Sequence, residues 1–279
     1  FLVTIAISGI YRSGTTDPAA NWFHAHYCGG ALVSPRVVVT AAHCVEDGGT
    51  VRDKDVFHIG VHRHDLTKTP AEDNECARDI AVEEIYMHES YGDRGSATGH
   101  DIAVMILAAD AVHEACVADG RTQLLALDDD SASDAHAGAT LTLAGWGKLR
   151  NGFLHGDPSL FNPTAPSDYA HLLNAVQLDA ISNTACQASF DSGSTSETIA
   201  ADNICTLTEG KGSCDRDSGG PLFSDAGTLG SAHRLLIGVV NWGLGCGGTT
   251  PGVYARVGFF NAWIRGKVTT AEAMLGVVL

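Results

Sequence analysis

"CGGALVSPRVVVTAAHC", from Cys28 to Cys44, contains two apolar runs broken by a Ser-Pro-Arg turn. Its small and β-branched residues, on both sides of that turn, read as a pair of strands. The second run ends on His43, followed at once by Cys44. The same pattern extends outward. "FLVTIAIS", "VFHIGVH", "IAVEEIYMH" and "DIAVMIL" read as further strands separated by polar turns, and "ATLTLAGWG", "NAVQLDAIS", "DNICTL", "GGPLFS", "HRLLIGVVNWG" and "PGVYARV" form a second series.

Between the two series lies "LDDDSASDAHAGA", Leu127 to Ala139, acidic and rich in small residues, which reads as a surface linker. The expected organisation is two all-β units, over 1–120 with its first strands incomplete and over 139–279, joined by a linker over 121–138. "GFFNAWIRGKV" spaces Phe259, Phe260, Trp263 and Ile264 as on a helix, so an amphipathic helix follows the last strand. Two long segments, "YRSGTTDPAANWFHAHY" and "LRNGFLHGDPSLFNPTAPSDY", are rich in Gly, Pro, Asp and Asn and read as functional or mobile loops. No internal repeat is visible.

The 279 residues suffice for one large domain or two small ones. A formal charge of −16 argues against a nucleic-acid partner, because phosphate backbones need basic surfaces. No apolar run is long enough to cross a membrane. "FLVTIAIS" is too short for a span and lacks a basic leader, so the chain is expected to begin partway into a domain. Eight cysteines form an even set without close Cys-x-x-Cys doublets, which suits an oxidised, secreted protein better than a zinc site. "NPT" at Asn162 has proline in its middle and is no glycosylation acceptor.

Acyl transfer needs a nucleophile, a base and an acid that orients the base. His43 ends an apolar strand, and Asp101 opens "DIAVMIL", whose apolar neighbours hold its carboxylate near an interior. Ser218 stands in "CDRDSGGP", Cys214 to Pro221, beside two glycines. Taken alone, these are a core histidine, a strand-capping aspartate and a turn serine.

Together, "CGGALVSPRVVVTAAHC", "HDIAVMIL", "CDRDSGGP", "NWGLGCGG" and "PGVYARV" resemble the trypsin/chymotrypsin-like serine endopeptidases, in the family's order and over nearly the whole chain. The resemblance implies two antiparallel six-stranded β-barrels with the active site in the cleft between them. It implies His43 as general base, Asp101 as orienting acid and Ser218 as nucleophile. The backbone N–H groups of Ser218 and Arg216 would form the oxyanion hole, and Asp217 would receive the new N-terminal amine on activation. The implied disulfides are Cys28–Cys44, Cys186–Cys205 and Cys214–Cys246, which leaves Cys76 with Cys116. A further family bridge is replaced by apolar residues at Leu141 and Phe223.

Two residues depart from the family. Arg216 stands where the family has glycine; its Cβ disfavours the required peptide orientation, although any residue but proline can donate an N–H. Either the hole forms, with the Arg216 side chain over the leaving-group side of the cleft, obstructing bulky inhibitors and favouring acidic residues after the scissile bond, or the protein is an inactive homologue that binds partners through the cleft. Asn241 stands where the family has a serine close to the orienting aspartate, and can still donate to it. The specificity pocket falls on Gly212 and Ser213 at its floor and Gly243 and Gly252 at its walls, an open uncharged slot for large apolar side chains. Trp242 would flank the substrate, and Asp215 at the rim could instead draw basic side chains.

"HAH" (His24, His26) and "HRH" (His62, His64) place imidazoles on one strand face, and "AEDNE" (Ala71 to Glu75) lies near where some relatives bind calcium. Without further placed ligands, both read as solvated surface. The sequence therefore predicts a secreted, monomeric serine endopeptidase acting on proteins or peptides and open to protein inhibitors, with no cofactor or metal.

Overall fold

The computed structural model describes residues 1–8, 22–92, 99–112, 116, 123–132, 134–149, 169–193, 197–226, 228–231 and 233–275. Most of the two long loops, the start of the linker and the last four residues lie outside the described residues.

The apolar runs pair as antiparallel strands. Six close the first barrel: β1 (Leu2–Ile7), β2 (His26–Ser34), β3 (Val37–Thr40), β4 (Phe57–Val61), β5 (Arg78–Met87) and β6 (Ala103–Leu107). Their order around it is β1-β2-β3-β6-β5-β4. β1 pairs with β2 on one edge and β4 on the other, which closes the ring.

The second barrel comprises β7 (Thr140–Gly145), β8 (Asn174–Ile181), β9 (Asn203–Thr206), β10 (Pro221–Ser224), β11 (Leu235–Gly243) and β12 (Gly252–Arg256). It runs β10-β7-β8-β9-β12-β11 and closes through a β10–β11 pairing. Its interior is filled by Leu141, Leu143, Leu178, Ile204, Leu222, Ile237 and Tyr254. The fold is all-β with two closed six-stranded barrels and a C-terminal helix, as the sequence predicts.

The acidic stretch between the barrels is more than surface. Ala126–Leu127 adds a short parallel strand beside Leu235–Leu236. Asp128 is buried against His136, with Oδ2 and Nε2 2.8 Å apart, and Arg256 donates to the carbonyls of Ser131, Ala132 and Ala201. The terminal helix, Val257–Leu275, buries Val257, Phe260, Ile264 and Val268, whereas Phe259 faces outward at 43% exposure. Spacing of three to four residues selects that stripe and leaves its neighbour in solvent.

Four disulfides join Cys28–Cys44, Cys76–Cys116, Cys186–Cys205 and Cys214–Cys246. The expected apolar replacement of a fifth is corrected by the β7–β10 register. Thr142 lies opposite Phe223 and Leu143 opposite Leu222, so continuing that register sets Leu141 against Ser224. Phe223 packs instead on the Phe1 ring, 4.8 Å away between centroids.

Candidate active site

His43 and Asp101 meet because β3 and β6 are paired, with Thr40 opposite Ala103. His43 follows β3 on a single helical turn, Ala42–Val45, and Asp101 just precedes β6. Asp101 Oδ1 accepts the His43 backbone N–H at 2.9 Å, and Oδ2 lies 2.6 Å from His43 Nδ1. Both side chains are nearly sealed, at 3% and 1% exposure. With Nδ1 donating to the carboxylate, Nε2 is the basic nitrogen, and it has no partner among the described residues. Such a histidine is poised to accept a proton from a nucleophile.

Ser218 is brought beside this pair by contact between the barrels. Its carbonyl accepts the Gly29 N–H at 2.8 Å, and Gly29 adjoins Cys28, which is bonded to Cys44 next to His43. Gly219, at φ +77°, lies so close that a Cβ there would stand 2.2 Å from Thr40 Oγ1 and 2.6 Å from the Gly29 carbonyl. Glycine is needed for that approach. The structure shows no hydrogen bond between Ser218 and His43.

The turn before Ser218 is more demanding. Asp217 N–H donates to the Cys214 carbonyl at 3.0 Å, and Arg216 at φ +73° is the third residue of the resulting β-turn. Asp215 is not at positive φ, so the turn has the type II pattern, which favours glycine at that position. A side chain there costs about 1–2 kcal/mol. The Asp215 carbonyl accepts the Lys148 N–H at 3.0 Å, and in a planar trans peptide the Arg216 N–H then points the opposite way. The guanidinium is also tied. Nη1 donates to the Phe23 carbonyl at 3.3 Å, and Cζ lies 4.1 Å from the Tyr169 ring centroid.

Asp217 is held by the backbone of two segments. Its Oδ1 accepts from Gly147 N–H at 2.9 Å and its Oδ2 from Cys214 N–H at 3.0 Å. Burial pushes its carboxyl up from 3.8 to about 6, opposed by those two hydrogen bonds. A Cβ at Gly145 or Gly147 would stand 2.2 or 2.3 Å from this carboxylate. Asp217 borders a cavity of about 240 Å³ with Gly145, Gly147, Gly212 and Cys214. Behind the turn, His26 bonds Thr4 Oγ1 through Nδ1 at 2.7 Å, and burial pushes its imidazole down to about 3, so it stays neutral.

The remaining expected site residues divide. Gly243 and Gly252 face each other across β11 and β12, and a Cβ on Gly243 would meet nothing closer than 3.8 Å. Ser213 bonds the buried Tyr254 hydroxyl, which also accepts from Thr206 at 3.2 Å. Of the four pocket residues only Gly212 lines the cavity beside Asp217. Trp242 packs on Phe190, and Asp215 is exposed. Asn241 is able to donate to Asp101, but no such bond is seen among the described residues, and its Oδ1 is buried without a partner there.

The metal-ligand pairings dissolve on inspection. His24 lies in the helical turn Trp22–Ala25, while His26 begins β2 and is buried, so the two share no strand face. His62 and His64 lie past the end of β4. Cys28, His43 and Cys44 cluster within 4.8 Å, but both sulfurs are bonded to each other and offer no thiolate. Of the acidic loop, Asp73 binds the buried Arg63 Nε at 3.0 Å and Glu72 closes a capping box with Thr69.

A family model described as Trypsin matches residues 10–264. The chain belongs to the trypsin family. It is 31% identical over 260 residues to coagulation factor XII of Sus scrofa, covering 90% of this chain and 37% of that protein. To Trypsin Blo t 3 of Blomia tropicalis it is 27% identical over 247 residues, 87% of this chain and 77% of the relative. To Trypsin 5G1 of Aedes aegypti it is 30% identical over 243 residues, 86% and 74% respectively. As a trypsin-family protein it is a serine endopeptidase, a hydrolase. No local signal in the sequence marks Tyr169, Phe23 or Lys148, which meet the serine turn from distant segments.

Proposed function

We propose that this trypsin-family chain is a secreted endopeptidase that cleaves after large apolar residues. Ser218 Oγ attacks the scissile carbonyl while His43 Nε2 takes its proton, and Asp101 holds Nδ1–H and supports the imidazolium. The proton then passes to the leaving amine, and water resolves the acyl-enzyme by the same steps. The observation that carries this reading is the Asp101–His43 pair, with Nε2 unpartnered beside the Ser218 turn. Ser218 and Arg216 N–H groups serve as the oxyanion donors, and the pinned Asp215 carbonyl supports that direction for the second. Gly212, free of charge at the pocket floor, supports apolar specificity, with Ser213, Gly243, Gly252 and Trp242 around the substrate.

Asp217 and its cavity are where a newly cut N-terminal ammonium docks in an activated form; a cation there would favour the ionised carboxylate that burial opposes. Four disulfides with no free cysteine support an oxidising, extracellular setting, with proteins or peptides as substrates and protein inhibitors as partners.

The test is hydrolysis of peptide amides that differ only before the cut, as Phe, Leu, Arg and Ala, with Ser218→Ala as control. The Phe or Leu substrate should lead Arg by about tenfold or more in kcat/KM. Preference for Arg would move the specificity to Asp215. Absence of any Ser218-dependent cleavage would make the cleft a binding surface.

A further inference from the structure

The endopeptidase reading leaves a difficulty at Arg216, and the structure contains a device that addresses it. A type II turn and a type I turn differ by a rotation of roughly 150–170° in the peptide between their second and third residues. Here that peptide joins Asp215 to Arg216, so the turn type decides which way the Arg216 N–H points. Glycine accepts the positive φ of type II, whereas a residue with a Cβ favours type I. Arginine at this place therefore biases the turn towards withdrawing its own N–H.

Two contacts oppose that bias, and both reach the same neighbouring segment. The Lys148 N–H holds the Asp215 carbonyl at 3.0 Å, and Lys148 forms an antiparallel bridge with Tyr169. Tyr169 in turn presents its ring to the Arg216 guanidinium, 4.1 Å from Cζ to centroid, well inside cation–π range. The Phe23 carbonyl accepts Nη1 at 3.3 Å and completes the anchor from the first barrel. A guanidinium stacked on one ring and bonded to one carbonyl has little freedom to follow the backbone through a peptide flip.

The geometry points to Tyr169 as a positioning residue for the oxyanion hole: its ring anchors the Arg216 side chain and so holds the Asp215–Arg216 peptide in the orientation that directs the Arg216 N–H to the reacting carbonyl oxygen. This inference rests on the endopeptidase reading above. It explains how arginine serves where glycine is otherwise required, and it assigns Tyr169 a role that does not involve touching the substrate.

The anchor makes Tyr169 matter only while residue 216 is arginine, which a double-mutant experiment detects. Tyr169→Ala should lower kcat about tenfold with KM within twofold, because an oxyanion donor acts mainly in the transition state. Tyr169→Phe keeps the ring and should retain more than half of kcat. Tyr169→Leu keeps volume without the aromatic face and should behave as Tyr169→Ala, which guards against a fold defect as the cause. In an Arg216→Gly background the Tyr169→Ala loss should shrink below about twofold.

An equal loss in both backgrounds would overturn the inference, since Tyr169 would then act on substrate or general structure. So would a Tyr169→Ala enzyme matching wild type, or a change confined to KM. A wild-type protein with no Ser218-dependent hydrolysis would overturn the endopeptidase reading, and this inference with it. That result is distinct from an active wild type indifferent to Tyr169.

Discussion

The His43–Asp101 half of the site and the Cys214–Gly220 half are built on different principles. The first is made of strand ends inside a closed barrel, where two buried groups satisfy each other with bonds of 2.9 and 2.6 Å. The second is a turn with positive φ at Arg216 and Gly219, wrapped around a partly buried carboxylate that desolvation pushes up to about 6. Sheet pairing, one helical turn and the Cys28–Cys44 disulfide position His43. The Ser218 turn depends on glycine clearances, a backbone cradle and a side-chain anchor, so it is the half open to regulation.

The contrast is tested first at its rigid end. Asp101→Asn should fold normally yet lose roughly 10⁴-fold in kcat, the size known for the archetypal Ser-His-Asp enzymes, because the amide no longer holds His43 in the working tautomer. Steady-state kinetics alongside thermal unfolding would check it. A large fall in stability without that kinetic loss would mean the pair is structural.

Asp217 probes the turn half through its pH dependence. Its carboxyl is raised from 3.8 to about 6 on folding, so the folded state binds a proton that the unfolded chain has released between those values. The penalty is absent below pH 3.8, grows as pH rises to about 6 and is full above that, amounting to about 3 kcal/mol. Asp217→Asn carries no charge at either extreme. The stability of wild type relative to the variant, from urea unfolding, should therefore improve by about 3 kcal/mol on going from pH 7 to pH 3.5. A pH-independent difference would show that the carboxylate is adequately solvated by its cradle.

The third and smallest effect is at Gly147. A Cβ there would stand 2.3 Å from the Asp217 carboxylate, so Gly147→Ala must displace the Ser218 turn. A shift of that size should cost about 10²-fold in kcat/KM, while the His43–Asp101 hydrogen bond persists. Proton NMR of the His43 Nδ1–H resonance would separate the two halves. If that signal vanishes together with activity, the halves are coupled more tightly than their construction indicates.

Much of this was legible in the residues. Strand alternation, the placement of His43 and Asp101 at strand ends, and the serine followed by two glycines all follow from local pattern. The terminal helix was readable too, but not which of Phe259 and Phe260 faces inward, because that depends on where the helix lands. Most of the linker is exposed as read, but charge composition does not reveal that Asp128 turns inward to His136. The single strand face read for His24 and His26 failed for a related reason: the two are close in sequence but fall on different elements.

The sequence by itself determined the two strand series and the chemical types needed for acyl transfer, because short-range pattern and residue chemistry are local properties, while the disulfide pairs followed from the family resemblance. Only the tertiary structure decided how arginine is accommodated at position 216. Its contacts come from Phe23 in the first barrel and from Lys148 and Tyr169 in the second, segments far apart along the chain. A peptide's orientation depends on which of those groups arrive beside it, and no local pattern carries that information.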